Sequence, residues 1–235
     1  MDRKKITAVV GVLASVALIG GAFAYFSGTA EQKQNKFSVV AGEQDEDEII
    51  EIEEPGWNPE DPTHKDLEPG AILVKDPNVA SKAEYDGWVI MKVTSPKISA
   101  KLNKEDKSFS MLEAFDYLDF ASENDYVLLK TDNETDPNAV IRYYGYTKIL
   151  EAGEPDANGV TARTPKLFGK VQLKNFAAVE ESGEGSINVD AAIIQKINPS
   201  TGVEFTDVKD AFAALGSKFS AGDANLTNGS NAAGE

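Results

Sequence analysis

Residue types that usually carry catalysis or bind metals are scarce in this sequence. It contains no cysteine and a single histidine, His64. Thiolate nucleophiles, disulfides, CxxC redox pairs and cysteine zinc sites are therefore excluded, and so is any site that needs two histidines. A Ser-His-Asp triad would have to use His64, which lies in an acidic segment rich in proline. We interpret His64 as a surface residue, and we predict no enzyme and no cofactor.

Carboxylates are the abundant reactive group, with 39 Asp and Glu residues. Among so many carboxylates, some two will by chance lie at the separation of the catalytic pair of a glycosidase. No pair is therefore singled out. Residues 132–136, with the sequence DNETD, place oxygen ligands at alternate positions as calcium loops do. They lack the glycine and the final glutamate of an EF-hand. We expect a hydrated loop there and in the acidic run 43–48, with calcium binding as the alternative, and we predict no metal site.

The charge balance bears on the class of partner. The formal net charge is −16, and no stretch combines lysine and arginine with aromatic residues. Such a chain repels phosphate backbones, so nucleic acid is excluded as a partner. No glycine-rich phosphate loop occurs, which removes the usual signal for a nucleotide cofactor. A hydrophobic share of 41% nevertheless supplies enough apolar surface for a folded core.

The N-terminus has the pattern of an export signal. Residues 2–5 (DRKK) precede an uncharged run over 6–26. Ala22 and Ala24 give the small-x-small spacing that signal peptidases accept, which predicts cleavage between Ala24 and Tyr25. The alternative is an uncleaved membrane anchor, because the run is long enough to cross a bilayer. Either way, the protein is expected outside the cytoplasm, secreted or at the cell surface.

Short apolar runs bounded by turn residues predict a mainly β fold. Alternating or continuous apolar residues of this length are typical of strands, and Asp, Asn, Gly and Pro between them are typical of turns. The predicted strands cover 37–40, 49–52, 71–74, 87–93, 126–130, 139–146, 170–173 and 186–195.

Two short helices are predicted beside these strands. Ser110 and Glu113 form a capping box, and the helix after it would present one apolar face of Met111, Ala114, Phe115 and Leu118. A second helix would begin at Thr206 and end before Gly216. Its apolar face would consist of Val208, Ala211, Phe212 and Leu215.

These elements give a division of the chain. We predict a signal peptide over 1–24, an N-terminal extension over 25–48, a two-sheet β-sandwich over 49–215 and a flexible tail over 216–235. The extension holds a candidate donor strand and the acidic run 43–48. The tail is rich in Gly, Ala, Asn and Ser, which is typical of flexible segments.

A known family shares several short motifs with this chain. The motifs are Gly-Gly before Ala22 with Tyr25-Phe26-Ser27 after it, NKFSV at 35–39, IEIEEPGW at 50–57 and YDGWVIMKV at 85–93. In their order, they resemble the TasA/camelysin family of exported proteins with a SipW-type signal peptide. The resemblance is clear over about 3–96 and looser to 215. It departs at 80–82, where Ala-Ser-Lys replaces an Asn-x-Gly turn, and at 43–48, which looks inserted.

The resemblance implies a jelly-roll-like antiparallel sandwich whose copies form biofilm matrix fibres in the extracellular matrix or on the surface of a single-membrane bacterium. The implied partners are further copies, other matrix proteins and a SipW-type peptidase. A physical route is donor-strand pairing, in which residues 25–40 add to a sheet of the next subunit. The expected anchors are Phe26, Phe37 and Val39. The alternative is that Phe37 and Val39 belong to an ordinary first strand of their own subunit.

Two other functional classes stay open on the sequence. Camelysin-like proteins have been described as metallopeptidases, and the resemblance would carry that activity here. A single histidine and no thiol would leave mainly carboxylates for zinc, which is an unusual catalytic set. The other class is a monomeric surface adhesin or antigen that uses its acidic face.

Overall fold

The computed structural model describes residues 49–58, 60, 61, 64, 67–180, 186–198 and 201–215, together with the backbone of 27–29 and 33–34. Within these residues the protein is mainly β, with antiparallel sheets that curl into a half-barrel and a single short helix. The prediction of a mainly β antiparallel fold is thereby confirmed. That helix is too short to cross a membrane, and the apolar run 6–26 lies outside the described residues.

The strands are numbered in chain order. They are β1 (Ser27–Thr29), β2 (Lys33–Gln34), β3 (Ile50–Glu53), β4 (Ile72–Val74), β5 (Asn78–Ser81), β6 (Gly87–Lys101), β7 (Ser110–Glu113), β8 (Phe115–Leu118), β9 (Tyr126–Asp132), β10 (Ala139–Tyr146), β11 (Ala162–Arg163), β12 (Lys170–Leu173), β13 (Ala178–Val179) and β14 (Asn188–Gln195). The helix, α1, covers 208–215.

The long strand β6 organises an eight-stranded sheet. Its first half pairs with β14 on one side and β10 on the other, and β9 lies outside β10. Its second half pairs with β7 and β13. Pro96 stands where the partner changes from β10 to β7, a position at which a residue without an N–H donor is tolerated. The second half of β6 therefore extends beyond β10 and β14 as a hairpin with β7.

Two three-stranded sheets, β11-β5-β3 and β4-β12-β8, cover one face of the large sheet. All three sheets contribute to one apolar cluster, in which Ile52, Val79, Val89, Phe168 and Ile193 are among the most deeply buried side chains. Strand β6 contributes alternate residues to it, because successive side chains of a strand point to opposite faces. Burial of this apolar surface is the main force that holds the sheets together.

The opposite face of the large sheet is covered by α1. Val208, Ala211 and Leu215 are buried against β6 and β14, as the periodicity predicts. Asp207 caps the helix, since its Oδ1 accepts hydrogen bonds from the backbone of the second and third residues after it. Gly145 of β10 permits the close approach, because a Cβ there would lie 2.6 Å from Cγ2 of Val208.

The helix predicted after Ser110 is wrong. The segment forms β7, which pairs with β6, and β8, which pairs with β12. A helix of this length is marginal by itself, whereas the extended half of β6 offers unpaired backbone groups beside it. Phe115 and Tyr117 face the apolar cluster, with the exposed Asp116 between them. This is the two-residue period of a strand, although the same apolar residues also fit a helical face.

Candidate functional site

The outer edge of β14 is the place where the N-terminal extension joins the fold. β1 pairs antiparallel with β14, with Ser27 opposite Ile194 and Thr29 opposite Ala192. β2 continues along the same edge, with Gln34 opposite Asn188. The extension therefore adds backbone partners to a strand that β6 pairs only on its inner side.

Apart from one inward-turned charge, β14 itself has few of the features that protect a sheet edge from other strands. It pairs with β6 in unbroken register over all eight residues, and it contains no proline, lysine or arginine. Its one charged residue, Asp190, is turned inward, with Oδ2 3.2 Å from Nζ of Lys92. Regular, apolar edge strands of this kind are templates for pairing with another chain. The edge is therefore suited to pair with a further strand.

The opposite edge of the large sheet, β9, is built differently. The register between β9 and β10 shifts at Tyr143/Tyr144, as a β-bulge does. Lys130 lies on this strand, half exposed, with Nζ 3.1 Å from Oδ2 of Asp132. Bulges and edge lysines are the usual protection against edge-to-edge pairing. The contrast singles out β14 as the edge that is adapted to receive a strand.

Strand β3, the first strand after the extension, is firmly held in the body. It is the edge strand of its sheet, it contacts β14, and Ile50 and Ile52 are fully buried. Glu53 accepts hydrogen bonds from Arg163 (Nε to Oε2, 3.0 Å) and from Asn78 (Nδ2 to Oε2, 3.1 Å). The root of the extension is thus fixed beside the edge that the extension covers.

A buried ion pair lies directly after β3. Nζ of Lys75 is 2.6 Å from Oε1 of Glu54, and the two side chains are 2% and 6% exposed. The ammonium group also lies 5.5 Å from the centroid of the Trp57 ring. Burial lowers the pKa of Lys75, against the opposing effect of the Glu54 carboxylate. The pair ties the end of β3 to the end of β4.

The interpretation of His64 as a surface residue is wrong. It is 8% exposed and stacks on Trp57, with the ring centroids 4.1 Å apart and the planes at 12°. Its backbone N–H donates to the carbonyl of Asp61 at 3.1 Å. Sequence reasoning missed this because proline and acidic neighbours suggested a solvated loop, whereas the indole face offers the imidazole an apolar partner.

The candidate calcium loop between β9 and β10 uses its oxygens internally. Asp132 accepts hydrogen bonds from the backbone of Glu134 at 3.0 Å and from the backbone and hydroxyl of Thr135 at 2.9 and 2.8 Å. These bonds hold the pKa of Asp132 far below its usual value. In the part of the chain that the structure describes, no group of three or more His, Asp or Glu side chains could hold a metal ion.

Neither the family models nor the characterised proteins and solved structures compared with this chain match it. The resemblance to the TasA/camelysin family therefore stays a prediction.

The residues that were predicted to act lie outside the described part of the chain. They are Ala22, Ala24 and Tyr25 at the cleavage site and Phe26, Phe37 and Val39 as anchors. Sequence reasoning did not identify β14 as the edge strand with which the extension pairs. Its alternation predicted a strand over 186–195, but nothing local distinguishes an edge strand from a central one. The available signal was the lack of proline and of basic residues within that segment.

One ion pair near β7 leads to a pH prediction. Nη2 of Arg142 donates to Oε2 of Glu113 at 2.8 Å, and Nζ of Lys174 lies 3.9 Å from the same oxygen. Burial alone would raise the pKa of Glu113, but the hydrogen bonds and charge of Arg142 outweigh it and lower the pKa below 4.5. As the pH falls, the Glu113 carboxylate therefore takes up its proton at a higher pH in the unfolded state than in the folded state. The ion pair stabilises the fold fully above the pKa of the unfolded glutamate, and this stabilisation is lost as the pH falls through the lowered pKa of the folded state.

We expect Glu113→Gln to reduce the free energy of unfolding at neutral pH and to flatten its decline in acid. Urea unfolding at neutral pH and at about pH 3 measures both effects. Glu123→Gln is the matched control, because Glu123 is exposed and has no ion pair among the described residues. An equal decline in acid for Glu113→Gln and wild type would contradict the prediction.

Proposed function

We propose that this protein is a secreted structural protein with a jelly-roll-like fold that assembles into extracellular, biofilm-matrix fibres. Its partner is a further copy of itself, and a SipW-type signal peptidase releases the chain at Tyr25. Residues 25–40, here called the arm, leave their own subunit and pair with β14 of the next. The observation that carries the proposal is the outer edge of β14, which only the arm strands β1 and β2 pair in the described residues.

The arm is suited to exchange because its pairing is short and peripheral. β1 and β2 contribute three and two residues to the ladder. Their pairing with β14 is by backbone groups, and an identical ladder can form with β14 of another copy. Residues 35–49 connect β2 to β3, and fifteen residues can span up to about 50 Å. Such a connection reaches a neighbouring subunit, so the choice of acceptor depends on concentration.

Exchange of this kind can continue from subunit to subunit. The arm and the edge of β14 are different surfaces. An open oligomer therefore has a free arm at one end and a free β14 edge at the other. Heterologous contacts that repeat in this way produce filaments rather than rings unless the rotation closes. An extracellular protein without cysteine gains in this way a continuous link between subunits that needs no disulfide.

Chains that begin at Tyr25 and at Glu43 test the proposal. We expect the first to form filaments under the electron microscope and the second to elute as a monomer in size-exclusion chromatography. Circular dichroism and urea unfolding establish that the shorter chain is folded. Filaments from both chains would contradict arm exchange, and monomers from both would contradict fibre formation.

A further inference from the structure

Most cations of the body lie in ion pairs with carboxylates. Those within 4.0 Å of a carboxylate oxygen are Lys75, Lys92, Lys130, Arg142, Lys148, Arg163, Lys170, Lys174 and Lys196. The β6–β7 hairpin differs from them. Lys97, Lys101, Lys104 and Lys107 have no such partner among the described residues. Lys82, Lys166 and Lys209 also lack one, but they are far apart in the sequence.

The segment that carries these four lysines is here called the lysine hairpin (97–107). Lys104 and Lys107 are exposed at its tip. Three acids offset the four charges: Glu105 and Asp106 within the segment, and Glu180, which accepts a hydrogen bond from the hydroxyl of Ser99. Leu102 is 49% exposed beside them, at a groove of about 280 Å³. A positive, partly apolar projection on a chain of net charge −16 is complementary to acidic segments of other copies.

The end of the body from which the extension departs is the end opposite to the lysine hairpin. The carbonyl of Ile49 accepts a hydrogen bond from the backbone N–H of Lys82. The carbonyl of Ser81, the residue before Lys82, accepts one from the backbone N–H of Thr161. Two further backbone contacts lead from Thr161 through Gly153, near Leu150, to Gly87 at the start of β6. The lysine hairpin begins at Lys97, ten residues and about 33 Å further along β6, and Lys101 at the end of the strand is about 46 Å away.

The direction of the arm shows which end of the donor faces which end of the acceptor. Gln34 at the end of β2 lies opposite Asn188, which lies opposite Thr94 of β6. Because β2 runs antiparallel to β14, the chain that follows Gln34 leaves the acceptor at the end where β6 continues towards Lys101. The arm therefore departs from its own body at the Gly87 end and leaves its acceptor at the lysine hairpin end.

We propose that the acidic run 43–48 of the subunit that donates the arm binds the lysine hairpin of the subunit that accepts it. Five of the six residues in this run are acidic. In a head-to-tail fibre, the Gly87 end of the donor faces the lysine hairpin end of the acceptor, and the run lies between Ile49 of the donor and the arm. This inference rests on the proposed function, and it names the second contact of the same interface.

The acidic run is too close to Ile49 along the chain to contact the lysine hairpin of its own subunit, so the contact forms between copies. Residues 43–48 directly precede Ile49, so each lies within about 20 Å of it along the chain. The lysine hairpin of the same subunit begins about 33 Å from the Gly87 end along β6 and extends beyond it. A neighbour stacked end to end brings its lysine hairpin to that end instead. The run and the lysine hairpin then meet with opposite charge at short range.

Charge reversal tests the contact. We expect Lys104→Glu with Lys107→Glu to raise the critical concentration for filaments about tenfold at low salt, through lost attraction and new repulsion. Lys166→Glu with Lys209→Glu, which makes the same charge change at two exposed lysines elsewhere, should leave it near wild type. Asp45→Lys with Asp47→Lys should restore assembly of the lysine hairpin variant. Salt at about 1 M should remove the difference.

Cross-linking gives a second readout. A carbodiimide applied to filaments of mixed ¹⁴N and ¹⁵N chains should join residues 43–48 to Lys104 or Lys107 between chains. Links only within a chain, or a lysine hairpin variant that assembles like its control, would overturn the inference and leave arm exchange intact. A wild-type chain that forms no filaments would contradict the proposed function and this contact with it.

Discussion

A chain with Thr29→Cys and Ala192→Cys is expected to lose filament formation completely when it is oxidised as a dilute monomer, and to regain it on reduction. Thr29 lies directly opposite Ala192 in the ladder of β1 and β14. Opposed Cα atoms in an antiparallel pair are about 4.5–5.5 Å apart, which a disulfide tolerates. The chain has no other cysteine. The bond would lock the arm onto its own subunit and close the acceptor edge.

The same two positions report exchange directly when they are on different chains. Oxidised filaments grown from a mixture of Thr29→Cys and Ala192→Cys chains should contain disulfide-linked dimers on non-reducing gels. Each single variant alone should form filaments without that dimer, which controls for the substitutions. Filaments from the oxidised double variant at the wild-type level would show that assembly does not need the arm to leave. The measurement depends on backbone register alone and not on which arm side chains act as anchors.

The sequence predicted best the strands that carry their own local pattern. β10 and β12 have the predicted bounds, and the strand predicted over 186–195 matches β14 closely. In these segments apolar content, alternation and flanking turn residues agree, so the local preference and the tertiary pairing favour the same structure. The same holds for α1, whose apolar face was predicted residue by residue.

Elements whose form depends on a distant partner were not predicted. β5 is buried on all four residues but short, and β11 and β13 have two residues each. Their extended form follows from pairing with β3, β5 and β6 rather than from their own composition. β7 and β8 fit a helical pattern and are extended for the same reason. The secondary-structure propensity of a segment is a weak guide to its conformation where pairing with a distant strand decides that conformation.

The candidate site also has a part that the sequence predicts and a part that it does not. The arm was predicted because an export signal has a characteristic local composition, which sets where the segment after it begins. The acceptor edge was not, because an edge is a property of sheet order, which the sequence does not state. The buried Lys75–Glu54 pair was likewise invisible, since a lysine next to an aspartate in a segment with Pro77 looks like a solvated turn.

Lys75→Met is expected to destabilise the fold by about 3–5 kcal/mol, because it leaves the buried Glu54 carboxylate without its cation. Urea unfolding measures the loss. Lys196→Met is the matched control, since its pair with Asp86 is about one third exposed and should contribute less than about 1 kcal/mol. A loss for Lys75→Met no larger than for Lys196→Met would contradict the prediction.

The double variant Lys75→Met with Glu54→Met separates the cost of a lone charge from the value of the pair. Apolar side chains in both positions remove the buried charge, so the double variant should recover most of the stability that Lys75→Met loses. Because Glu54 directly follows β3, which holds the root of the arm, the single variant should also loosen that root. Hydrogen exchange at Ile50 and Ile52 should then accelerate in Lys75→Met and return towards wild type in the double variant. Unchanged exchange in Lys75→Met would mean that the ion pair stabilises the body without fixing β3.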